Sequence, residues 1–68
     1  IDKNNLFKKI ENYYSNIEID RQDGIKIIWH NAWLHIRKSN TEPILRIYAE
    51  SYSKHKSKQL IEELKTII

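Results

Sequence analysis

Arg37-Lys38-Ser39-Asn40-Thr41-Glu42-Pro43 gathers donors for an anion into one short stretch. An arginine presents a planar fork that can hold a phosphate through two parallel hydrogen bonds. Ser39 and Thr41 add short hydroxyl donors, and Asn40 adds an amide. A tight loop of such residues turns successive backbone N–H groups toward one point, a nest suited to a multiply charged oxyanion. Pro43 fixes the exit of the loop and biases Glu42 away from helix. Glu42 could orient Arg37 or Arg46, or cap a loop amide. The same composition also suits an ordinary polar hairpin loop whose Asn and Ser satisfy their own backbone. Residue types alone leave both readings open.

Such a loop needs strands to hold it. The runs 25–29, 33–38 and 44–50 are rich in β-branched and aromatic residues and alternate at a period of two, which predicts strands. Asp23-Gly24 reads as a tight turn, because glycine supplies the positive φ that such turns use. His30-Asn31-Ala32 joins the first pair of strands, and 39–43 joins the second. Ile17-Glu18-Ile19-Asp20 predicts a weak edge strand. Alternation sends Trp33, His35 and Arg37 one way and Leu34 and Ile36 the other. If Leu45, Ile47 and Ala49 face the helices, then Ile44, Arg46, Tyr48 and Glu50 share the open face with Arg37.

A helix is predicted over about 5–14, with Leu6, Ile10 and Tyr13 on one stripe and Phe7 and Tyr14 widening it. Asp2, Asn4 or Asn5 can cap its start. Ser53 can cap a closing helix whose inner side carries Leu60, Ile61, Leu64, Ile67 and Ile68, with Lys54, Lys56, Lys58, Glu62 and Lys65 toward solvent. The expected fold is α+β: a small antiparallel sheet of about four strands with two helices packed on one face.

The 68 residues suffice for a single domain, 1–68. A chain this short buries only about 60% of the surface exposed on unfolding, so marginal stability is expected. It has no cysteine, which removes disulfides and thiolate metal sites and fits a reducing cytoplasm. No apolar run approaches the roughly 20 residues of a membrane span, and nothing resembles a signal peptide. The start, Ile1-Asp2-Lys3, lacks an initiator methionine and reads as a cut end. A net charge of +3 favours anionic partners, although a small basic excess also serves solubility alone.

Written as Arg37-x-Ser39-Asn40-Thr41-Glu42-Pro43-x-Leu45-Arg46, the polar segment resembles the phosphate-binding loop of the C-terminal domain in the α-D-phosphohexomutase superfamily. Asp23-Gly24-Ile25-Lys26-Ile27 is similar to the hairpin upstream of that loop, Trp33 opens the strand that delivers the arginine, and Glu50-Ser51 leads into the closing helix. His30-Asn31-Ala32 stands where the family usually has a glycine-containing turn. Ser57 stands where relatives often place a small apolar residue. Asn40, in place of the glycine common in the glucosamine mutase branch, resembles the phosphomannomutase/phosphoglucomutase branch.

The resemblance implies a TATA-box-binding-protein-like fold within a larger isomerase that moves a phosphoryl group between C1 and C6 of a hexose phosphate. Other domains would supply a phosphoserine, a magnesium ion held by aspartates, and the residues that read sugar hydroxyls. The C-terminal domain would hold the phosphate that is not reacting. It implies Arg37, Ser39, Asn40 and Thr41 as the phosphate ligands, with Arg46 and Lys38 as helpers. No catalytic residue, metal or cofactor is expected in this chain. Its partners would be the hexose phosphate and the other domains, with no nucleic acid and no membrane, in the cytoplasm.

Other signals have plainer explanations. His30, His35 and His55 lack the carboxylates and shared face of a metal site. Asp20 and Asp23 beside a hairpin turn read as turn formers rather than a catalytic acid pair. Trp29, Trp33 and Tyr48 read as packing, yet Trp33 and Tyr48 with Arg37 and Arg46 could also make a small basic module for single-stranded nucleic acid. An exposed aromatic face could equally serve protein interaction, including contact with other domains of a parent enzyme.

Overall fold

The hydrophobic pattern resolves into two layers. The computed structural model describes residues 3–39, 41, 42 and 44–68, with side chains from Asn5 onward. Its elements follow the order α1 (Lys3–Tyr13), β1 (Glu18–Asp20), β2 (Ile25–Ile28), β3 (Trp33–Lys38), β4 (Leu45–Glu50) and α2 (Lys54–Ile67). The four strands form an antiparallel meander in the spatial order β1-β2-β3-β4. One face of the sheet contributes Ile25, Ile27, Leu34 and Ile36 to the core, and the helices contribute Ile10, Leu60, Leu64 and Ile67 together with Tyr14. Burying one face of a sheet under two amphipathic helices is the layer arrangement expected of an α+β domain.

Helix α1 begins at Lys3, so Asn4 and Asn5 lie within its first turn rather than before it, and Asp2 lies outside the described residues. Ser53 is the N-cap of α2: its extended backbone (φ −153°, ψ 155°) lets its hydroxyl accept the Lys56 N–H at 3.1 Å. That bond satisfies one of the orphan donors of the first turn. Ser51 joins this corner, donating to the Ser53 carbonyl at 2.7 Å and meeting the Ser57 hydroxyl at 2.8 Å. Ser57 thus makes a polar contact at this corner.

Strand β2 stops at Ile28, one residue early, because the Trp29 N–H turns to donate to the Ala32 carbonyl at 2.8 Å and closes the hairpin there. Trp29 packs edge-on against Tyr14, with ring centroids 5.5 Å apart. Gly24 is the one described residue at positive φ (68°). A Cβ at that position would sit 2.2 Å from the Ile36 carbonyl oxygen, so the turn before β2 is pressed against β3. Only glycine combines that φ with that approach at low cost.

Candidate functional site

Register brings the predicted cations together. β3 and β4 pair with Arg37 opposite Arg46, His35 opposite Tyr48 and Trp33 opposite Glu50, all on the face away from the helices. Two like charges placed directly across a strand pair repel one another. The arginines stand at the end of the hairpin from which the loop 39–44 emerges. That loop is closed by the Ser39 N–H donating to the Ile44 carbonyl at 3.1 Å. Ile44 itself falls just outside the ladder, so β4 begins one residue later than the alternation suggested.

Inside the loop the amides converge, but on a side chain. The Thr41 and Glu42 N–H groups both donate to Ser39 Oγ, at 3.4 and 3.3 Å. Ser39 Oγ serves as their acceptor, and its hydroxyl proton remains a donor. Thr41 and Glu42 are exposed, whereas Ser39 is half-buried. Asn40 and Pro43 fall outside the described residues. Lys38 departs from the group: alternation puts it on the helix side, where its Nζ lies 5.3 Å from the centroid of the Phe7 ring. The backbone pleat therefore separates Lys38 from Arg37, and no cluster of the two forms.

The carboxylate beside Arg37 is Asp23. Its Oδ2 lies 3.2 Å from Arg37 Nε, and the Asp23 carbonyl meets His35 Nε2 at 2.6 Å. A carbonyl only accepts, so His35 must carry a proton on Nε2. Asp23 reads from sequence as a turn former, and it does flank the turn. Its pairing with Arg37 could have been found only from the β2–β3 register, which places Ile25 opposite Ile36 and so brings the turn alongside Arg37. Glu42, the carboxylate the sequence offered for this task, forms no ion pair among the described residues.

Elsewhere on the open face Lys26 Nζ sits 4.6 Å from the centroid of the Trp33 ring. His35 bridges Trp33 and Tyr48, with centroids 6.5 and 6.2 Å away. Trp33 and Tyr48 thus belong to the open face, and only Trp29 among the three singled-out aromatics packs against the core.

The family model for the phosphoglucomutase/phosphomannomutase C-terminal domain matches residues 2–67. The chain belongs to that family. Relatives of this mutase domain include a phosphomannomutase of Methanocaldococcus jannaschii, 34% identical over 67 residues, covering 98% of this chain and 15% of the relative. A phosphoglucosamine/phosphogalactosamine mutase of Sulfurisphaera tokodaii is 42% identical over 65 residues, covering 93% of this chain and 14% of the relative. A phosphoglucomutase/phosphomannomutase of Thermococcus kodakarensis is 44% identical over 45 residues, covering 66% and 10%. The mutase domain therefore spans about 15% of the length of the first of these relatives. All three carry mutase names, and the nucleic-acid reading gains no support from them. Among the described residues of the mutase domain no three His, Cys, Asp or Glu side chains cluster in a way that could hold a metal ion. No described helix is long and apolar enough to cross a membrane.

Proposed function

We propose that this domain is the phosphate grip of a phosphohexomutase: it holds the non-reacting phosphate of a hexose phosphate while other domains move a phosphoryl group between C1 and C6. The observation that carries the reading is the cross-strand pair Arg37–Arg46 at the mouth of the Ser39–Thr41 loop. An anion between or above these arginines turns a repulsive pair into two charge-assisted contacts. Arg37 supplies the fork, Ser39 and Thr41 the hydroxyl donors, Asn40 an amide, and Arg46 a second charge. Lys38 has no part in this grip, given its place on the helix side.

A grip of this kind reads the anion and not the ring, so it tolerates a hexose bound with either end in the site. Binding energy spent on the remote phosphate positions the reacting group elsewhere. Magnesium, the catalytic serine and the groups that choose between sugars would belong to other parts of a cytoplasmic parent enzyme. Asn40 favours the phosphomannomutase/phosphoglucomutase branch of substrates.

The test is an amide NMR titration of the chain with mannose 6-phosphate and with inorganic phosphate. Expected are shifts confined to 37–41 and 46, with a dissociation constant on the order of 1 mM or weaker. Arg37→Ala should abolish them. Equal binding by that variant would sink the assignment, and a stronger, salt-sensitive response to single-stranded RNA would redirect it.

A further inference from the structure

We propose that Asp23 is a positioning residue for the phosphate grip, acting through Arg37 and not on the anion itself. The inference rests on Arg37 being a phosphate ligand, and it adds a residue that the loop motif does not contain. Asp23 Oδ2 lies 3.2 Å from Arg37 Nε, an ion pair rather than an aligned hydrogen bond, since that shielded nitrogen has no hydrogen-bond partner among the described residues. Contact at Nε occupies the side-on edge of the guanidinium and leaves the end-on pair of terminal nitrogens, its other bidentate edge, for an oxyanion.

Asp23 is itself held from two directions. Its carbonyl is fastened to His35 Nε2 at 2.6 Å, and the next residue, Gly24, is seated against the Ile36 carbonyl with no room for a Cβ. The carboxylate thus stands on a fixed turn, while Arg37 is a long side chain that Arg46 repels from across the ladder. Among the described residues Asp23 is the one carboxylate that forms an ion pair with Arg37. A long side chain that must be ordered on binding weakens binding, and ordering it beforehand removes that cost.

The sign of the effect separates positioning from plain electrostatics. Asp23 is an anion near an anion site, so its direct Coulomb effect on phosphate is repulsive, and removing it would tighten binding. Positioning predicts the reverse. The measurement is kcat/KM for a hexose 1-phosphate in the intact mutase carrying this domain, for Asp23→Asn, Arg37→Ala and the double variant. Asp23→Asn keeps the turn chemistry and removes the charge. Because both side chains are partly exposed, at 64% and 41%, the pair has the modest strength of an exposed one. A fall of about two- to fivefold is expected. In the Arg37→Ala background the same substitution should cost nothing further.

An unchanged or raised kcat/KM for Asp23→Asn overturns the inference while leaving the grip intact. Equal losses in both backgrounds, with a lowered Tm, would make Asp23 a turn former alone and overturn it too. If Arg37→Ala is without effect, the grip reading fails and this inference falls with it.

Discussion

Tyr14 links the core to pH in a way that can be measured. The residue is 2% exposed and its hydroxyl has no hydrogen-bond partner among the described residues. Burial, with smaller contributions from Glu63 and Tyr13, pushes its phenol up from 10.0 to about 12. At about 1.4 kcal/mol per pH unit that rise corresponds to about 2–3 kcal/mol. Between pH 10 and 12 the folded protein keeps a proton that the unfolded chain has released. Folding then binds more protons than unfolding, so stability falls as pH rises through that window and is unaffected below it. A domain of this size has about 3–10 kcal/mol in all, so the loss is a large fraction. Tyr14→Phe removes both the ionisable group and the orphaned hydroxyl. The variant should be at least as stable as the parent at neutral pH, because a buried unsatisfied polar group is itself costly. Urea unfolding of both proteins at pH 9 and near pH 12 supplies the test. The other tyrosines are common to both, so the difference isolates Tyr14. Parallel loss of stability in the two proteins would refute the reasoning.

Gly24→Ala should be among the most damaging single changes, costing upward of about 2 kcal/mol, since the left-handed φ alone costs a Cβ-bearing residue about 1–2 kcal/mol. The approach to Ile36 adds to that, and a thermal melt would show a large drop in Tm. Ser53→Ala removes the α2 cap and should cost about 1 kcal/mol by urea unfolding, whereas Ser53→Asp should retain most of it. Arg46→Gln should raise the stability of the phosphate-free domain by about 0.2–1 kcal/mol by relieving the facing charge, and should weaken phosphate binding in the same NMR titration. Raised stability with unchanged phosphate binding would remove Arg46 from the grip.

Much of the architecture was legible because alternation and turn chemistry act locally. Leu34 and Ile36 against His35 and Arg37 sort themselves by pleat, and the observed register places Arg37 with Arg46 as that sorting requires. Gly24 and Ser53 were readable because each has a short list of physical jobs. The errors at strand ends came from single hydrogen bonds, Trp29 to Ala32 and Ser39 to Ile44, which divert a residue whose composition still looks strand-like. Lys38 stands next to the loop donors in sequence, but the pleat sets it on the face opposite Arg37. Asp23 was missed for a deeper reason. Its partner lies across a strand pair, and the choice of partner among nearby carboxylates depends on register, which a single sequence does not encode directly. Glu42 is adjacent in sequence to the loop donors, yet the Ser39 turn takes its amide and its carboxylate forms no ion pair among the described residues.

The meander has a kinetic consequence. Each strand pairs only with its neighbours in the chain, so the sheet is three successive hairpins and needs no distant closure to form. The β3–β4 hairpin carries both arginines and the loop between them, and can assemble as one local unit. The long-distance step is docking of α1 on α2, marked by the Tyr13 hydroxyl donating to Glu63 across fifty positions at 3.1 Å. Topologies dominated by near-neighbour contacts cross their folding barrier quickly. On such a route the helices are expected to close last, over a sheet whose β3–β4 hairpin is already in register.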